Sequence, residues 1–125
     1  MSDLPRTNFP HHRLDAYRVA LELLDASKAA ADQVPRGYRS FADQLLRSAG
    51  AVVGGTCEGA NRHTRAMKRD AFGRAKAEAG EAAGWAEALA RMGLVPESEA
   101  VNIMLLADRA AAMLSGLMQS SQSRR

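Results

Sequence analysis

The sequence predicts an all-α chain folded as an antiparallel up-down-up-down four-helix bundle. Three observations carry this prediction. Apolar residues recur every three or four positions in four separate segments, which is helical spacing. Between these segments stand residues that stop a helix: Val34-Pro35-Arg36-Gly37, Gly59-Ala60-Asn61, and Gly93 followed by Pro96. The residues that build strands are sparse, and aromatics make up only 5% of the chain. Short connections between four helices favour antiparallel neighbours.

The chain's 125 residues are the size of one domain, long enough to bury a single core. Residues 13–119 are expected to form the bundle, with residues 1–12 an extended arm and 120–125 a polar tail. A single cysteine, Cys57, excludes an internal disulfide and fits a reducing cytoplasm. The N-terminal residues lack an apolar signal core, and no apolar run approaches 18 residues, so no membrane partner is expected. A net charge of +3 permits contact with nucleic acid without requiring it.

The first helix is expected to bury Leu14, Tyr17, Leu21 and Leu24, with Ala20 and Ala31 beside them. Proline and glycine after Val34 end it. Ser40 followed by Asp43 resembles the cap of the second helix, whose stripe runs Phe41, Leu45, Ala49, Val52 and Thr56. Thr64 is expected to cap the third. There the stripe Phe72, Ala75, Ala79, Ala82, Ala86 and Leu89 alternates steps of three and four, which is heptad spacing. Its alanine knobs demand close neighbours, and Gly93 supplies a left-handed end. Asp70, Arg74 and Glu78, four apart, read as a charged, solvated ladder on the other face. Pro96, Glu97 and Glu99 open the fourth helix.

That fourth helix has two apolar stripes. One is Ile103, Leu106, Ala110, Met113 and Leu117; the other is Met104, Ala107, Ala111, Leu114 and Met118. One stripe suffices for a bundle. The second is therefore expected to form an oligomer interface, because a monomer would leave it in water.

Residues 44–62 are rich in small side chains. Gly50, Gly54, Gly55 and Gly59 are expected to let a neighbouring helix approach closely, at about 1 kcal/mol of helix propensity each. They do not form a phosphate-binding loop. That loop needs Gly-Lys-Ser/Thr after its spacer, and Thr56 or Ala60 stands where lysine is required.

Residues 13–118 resemble the four-helix-bundle family named after proteins encoded in intervening sequences of bacterial large-subunit ribosomal RNA genes. Leu14, Tyr17 and Ala20 match its first helix. Gln44, Arg47, Ala49, Glu58 and Gly59 match its second, with Gly55, Thr56 and Val53 replacing the usual asparagine, isoleucine and proline. In the third, Ala79 and Gly80 lie in the matching region, with Glu81 and Gly84 replacing a serine and a glutamate. The exit Leu89-Ala-Arg-Met-Gly-Leu looks like the family's turn. The resemblance implies an antiparallel four-helix bundle, often a ring-like homopentamer, without an established catalytic role. It also implies kinship with a basic, nucleic-acid-binding branch that assists the reverse transcriptase of diversity-generating retroelements.

Few residues offer chemistry. Glu58 is expected to pair with Arg47 or Arg62 as a structural ion pair rather than act as a catalytic acid. Cys57 and His63 straddle a helix end without an orienting third group, so Cys57 reads as a small buried thiol rather than a nucleophile. His11, His12 and His63 lack metal-ligand spacing, and no metal or other cofactor is expected. Tyr17 and Trp85 read as packing residues rather than stacking platforms. Residues 61–76 hold Arg62, Arg65, Lys68, Arg69, Arg74 and Lys76 against Asp70 alone, a net +5. On a helix Arg65, Arg69 and Lys76 project almost together, and Arg62 joins them if the helix starts early. Such a ridge can track phosphates or simply face water.

The expected function is a non-enzymatic, cytoplasmic, self-assembling scaffold or adaptor that binds a protein partner. The alternative is a nucleic-acid-binding accessory factor that contacts RNA or DNA through the ridge on helix three.

Overall fold

The computed structural model describes residues 3–123. Four α-helices follow one another: α1, Asp15–Ala31; α2, Arg39–Asn61; α3, Arg65–Arg91; and α4, Glu97–Ser123. No strand occurs among the described residues. In sequence order the neighbours are α1 and α2, α2 and α3, α3 and α4, and α4 closes back on α1. That is the four-helix bundle the periodicity predicts. The α3–α4 contact is the most extensive, and both helices, at 27 residues, are about 40 Å long.

The ends of the helices account for the loops. Thr64 Oγ1 accepts from the Met67 amide at 3.1 Å and starts α3. Gly93 has φ 73°, the left-handed conformation that favours glycine, and the Leu94 amide donates back to the Leu89 carbonyl at 2.9 Å. Two cations cover carbonyls at other ends. Arg39 Nη1 donates to Ala31 O at 3.1 Å, and Lys68 Nζ donates to Ala60 O at 2.8 Å and Gly59 O at 3.3 Å. Ser40 is not a cap: α2 begins one residue earlier, and its N-cap, Tyr38, makes no side-chain bond. Pro96 stands just before α4, its carbonyl accepting from the Glu99 and Ala100 amides at 3.1 and 3.2 Å.

The N-terminal segment is not wholly extended. Pro10–Arg13 form a short 3-10 turn that packs on α2 and α1. Residues 124 and 125 of the expected tail lie outside the described residues. Residues 120–123 continue α4.

The core follows the alanine pattern closely in α3, where Phe72, Ala75, Ala79, Ala82, Ala86 and Leu89 are all buried. In α1 the buried face is rotated from the one expected. Ala16, Val19, Ala20, Leu23, Ser27 and Ala30 face inward, whereas Tyr17 and Leu24 are half-buried and Leu21 is exposed. Both stripes have helical spacing. The inner one is richer in small residues, so it permits closer helix approach. In α4 the two stripes merge: Ile103, Ala107, Ala110 and Leu114 are buried in the molecule's own core. Ala107 and Leu114 are therefore not free for an oligomer interface. Glu97–Ser121 is long enough to cross a bilayer and its most apolar 18-residue window has mean hydropathy 1.3, although Asp108 and Arg109 interrupt the apolar run. Here its inner stripe is packed in the core.

The four α2 glycines divide into two pairs. A Cβ at Gly55 would lie 2.8 Å from Ala75 Cβ and 3.3 Å from Ala75 Cα. One at Gly59 would lie 2.5 Å from two carbons of the Phe72 ring. These two admit α3. Gly50 and Gly54 do not: open space lies where their Cβ atoms would be.

Candidate interaction surface

The charges between α2 and α3 form a rail. Glu58 hydrogen-bonds Arg62 and lies 3.3 Å from Arg74 Nη2, and Arg74 also pairs with Asp70. Arg47 reaches the other way, to Glu81 Oε1 at 2.5 Å and Glu78 Oε1 at 3.5 Å, and Ser48 Oγ donates to Glu81 at 3.1 Å. The expected Arg47–Glu58 pair is thus absent. Eleven positions apart on one helix, they are served by different stretches of α3. Glu58 is half-exposed rather than buried. The Arg62 guanidinium holds its carboxyl below the usual range; Arg74 adds to this and partial desolvation opposes it. Arg74 and Glu78 are not part of a detached solvated ladder, because α2 supplies Glu58 and Arg47 as their partners; Asp70 pairs within α3, with Arg74.

This rail changes the basic ridge. Helix α3 starts at Arg65, so Arg62 is the C-cap of α2 and turns back to Glu58 instead of extending the ridge. Lys68 is committed to the α2 carbonyls. Arg65 is exposed and makes contacts of its own. Arg69 and Lys76 have no ion-pair partner among the described residues, and both line a groove between α3 and α4.

That groove is built from small residues on one wall and longer ones on the other. On α3, Ala66, Gly73 and Gly80 recur at intervals of seven, with Ala77 and Ala83 beside them. On α4, Met104, Ala111 and Met118 recur at the same interval. The Met118 methyl lies 3.3 Å from where a Gly73 Cβ would stand. Of the expected interface stripe, then, Met104, Ala111 and Met118 are half-buried at this groove, and only Ala107 and Leu114 have gone to the core. The outer rim carries Leu105, 64% exposed, and Val101, 47% exposed, which the apolar periodicity did not single out. The signal was present as an i, i+4 apolar pair followed by Asp108. Asp108 faces the same depression as Lys76, and neither has an ion-pair partner among the described residues. The groove's far end is lined by Glu87 and Glu97 with Arg91, its near end by Arg69.

Other candidates offer less. Cys57 is half-buried, and burial pushes its thiol up, which favours the protonated form. Trp85 packs against Phe41, ring centroids 6.0 Å apart, and Tyr17 against His11 at 4.7 Å. No group of three or more metal-binding side chains occurs among the described residues.

Comparison with known proteins gives matches of two kinds. A family described as 23S rRNA-intervening sequence protein matches residues 12–116. A solved structure of a protein of unknown function, from the S23 ribosomal protein family of Bacteroides thetaiotaomicron VPI-5482, has a TM-score of 0.76 at 18% identity. It covers 83% of this chain and 95% of its own. At that identity the likeness concerns the fold alone. No curated protein is significantly similar.

Proposed function

The chain belongs to the 23S rRNA-intervening sequence protein family, and we propose that it works as a non-enzymatic, cytoplasmic, self-assembling scaffold that binds a protein partner. The observation that carries this reading is the α3–α4 groove with its rim of Leu105 and Val101. Met118 fills the space over Gly73, whereas the wall at Gly80 faces open space that this molecule does not fill. We assign the groove to a second copy of the chain. The supporting argument is charge complementarity: Lys76 and Asp108, opposite charges without an ion-pair partner among the described residues, line one depression, so two copies facing each other can pair Lys76 of one with Asp108 of the other. The family resemblance supplies the expected number, five copies in a ring.

Light scattering at micromolar concentration tests this. The wild type should exceed the monomer mass of 13.4 kDa several-fold. Leu105→Glu should shift it toward the monomer without loss of helicity. A wild-type protein of monomer mass would end the proposal.

A second reading is favoured by Arg69 and Lys76, which lack ion-pair partners among the described residues, and by the neighbouring exposed Arg65. As phosphate contacts they would make the protein a nucleic-acid accessory factor. Three of the six cations in residues 61–76 are already engaged by Glu58, Asp70 or the α2 carbonyls, which favours the scaffold.

A further inference from the structure

The N-terminal segment folds back on itself through two histidines. The Thr7 amide donates to His12 Nδ1 at 2.7 Å, and Thr7 Oγ1 lies 2.8 Å from the same nitrogen. A backbone N–H can only donate, so His12 Nδ1 accepts and carries no proton. Asn61 Nδ2 lies 3.0 Å from His11 Nδ1 and also donates to the Cys57 carbonyl at 2.8 Å. The second bond identifies that atom as the amide NH2, so His11 Nδ1 accepts as well. Both neutral rings therefore carry their proton on Nε2. Their centroids are 4.9 Å apart, and Tyr17 lies 4.7 and 5.5 Å from them. Phe9 stacks on His11 at 5.7 Å.

We propose that His11 and His12 form a proton-operated clasp that, when neutral, holds residues 3–13 against α1 and the end of α2, and when protonated releases them. Protonation at either Nδ1 turns an acceptor into a donor aimed at another donor. Protonation of both places two cations side by side. Asp25, which lines the same groove as His12 and has no ion-pair partner among the described residues, is the α1 acid left to offset part of this. The segment's own charges are Asp3, Arg6, bonded to the His12 carbonyl, and Arg13, bonded to the Asn8 carbonyl. From α1 they are Asp15, Arg18 and, farther along the same groove, Asp25, with the Tyr17 phenol; Asp15 and Glu22 are paired with Arg18. From α2 they are Glu58 and Arg62, already joined, and the Cys57 thiol. Neither histidine makes an ion pair among the described residues. Burial, with the neighbouring His12 as the lesser cause, holds His11 below its ordinary value. A depressed value in the docked state means that the clasp is fully made above about pH 6.5 and is lost as pH falls through the docked value. Release uncovers the half-buried Leu14 and Tyr17, which share a surface groove with Leu4, Pro5 and the already exposed Leu21.

Nuclear magnetic resonance of the full chain labelled with 15N decides the matter. At pH 8, long-range proton–nitrogen correlations should show both rings protonated at Nε2 and bare at Nδ1. Between pH 7.5 and 5.5, backbone order parameters of residues 4–9 should fall from about 0.85 to below about 0.6 while those of α3 hold. The double variant His11→Phe with His12→Asn keeps an acceptor for Thr7 and does not titrate, so its segment should stay ordered at pH 5.5. A ring protonated at Nδ1 at pH 8, order unchanged by acid in the wild type, or equal acid loss in the double variant would each overturn the proposal.

Discussion

Gly55 and Gly59 determine how closely α3 lies against α2. The Ala75 Cβ and the edge of Phe72 occupy the space where their side chains would begin, and Phe72 is itself buried. Adding a methyl group at either position should destabilise the fold by about 1–3 kcal/mol, despite the helix propensity gained. Gly50→Ala and Gly54→Ala should instead stabilise it by about 0.5–1 kcal/mol, since open space lies there. Urea titrations of the four variants check both signs. The spacing of these glycines is legible in the sequence, but the division into pairs is not. Gly55 and Gly59 share a face four residues apart, as do Gly50 and Gly54. Only the direction from which α3 arrives selects between them. The same limit explains Glu58. Its i+4 partner Arg62 follows from local geometry, whereas Arg74 reaches it only because α3 turns back alongside α2.

Among the elements, the buried face of α3 is legible in the sequence, whereas those of α1 and α4 are ambiguous. In α3 one unbroken run of alanines at heptad spacing can face only one way. In α1 two stripes have equal periodicity, and the choice between them depends on closeness of approach, which favours Ala16, Ala20 and Ser27 over Tyr17 and Leu21. The 3-10 turn at Pro10–Arg13 has no periodicity to announce it. In α4 the two stripes are the two halves of one broad buried face, and the outward residues are Val101 and Leu105. Leu114 and Leu105 should therefore behave oppositely. Leu114→Ala should cost about 2–5 kcal/mol, because it opens a cavity in a fully packed core. Leu105→Ala should change monomer stability by less than about 0.5 kcal/mol, and its effect should appear in the mass of the assembly. Thermal melts and light scattering on the same two samples separate these outcomes.

For the whole molecule, the question is where the excess positive charge goes. The net +3 is small, and it is concentrated by the concession of Glu58 and Asp70 to Arg62 and Arg74. Arg69 and Lys76, without an ion-pair partner among the described residues, and Arg65, exposed beside them with contacts of its own, are the cations along one side of α3 that could meet a phosphate backbone. If they do, three contacts should give a slope of log affinity against log salt of about −2 to −3 on duplex DNA, with no sequence preference. Reversing all three to glutamate should abolish the binding while circular dichroism stays unchanged. Arg36→Glu, in the exposed turn before α2, is the control for a general charge effect. Because Lys76 lies in the α3–α4 groove with Asp108, the triple reversal should also alter assembly mass if a second copy fills that groove. Mass that changes without any salt-dependent shift of nucleic acid at about 50 mM salt, where such contacts are strongest, assigns these side chains to the assembly. A salt-dependent shift at unaltered mass assigns them to nucleic acid.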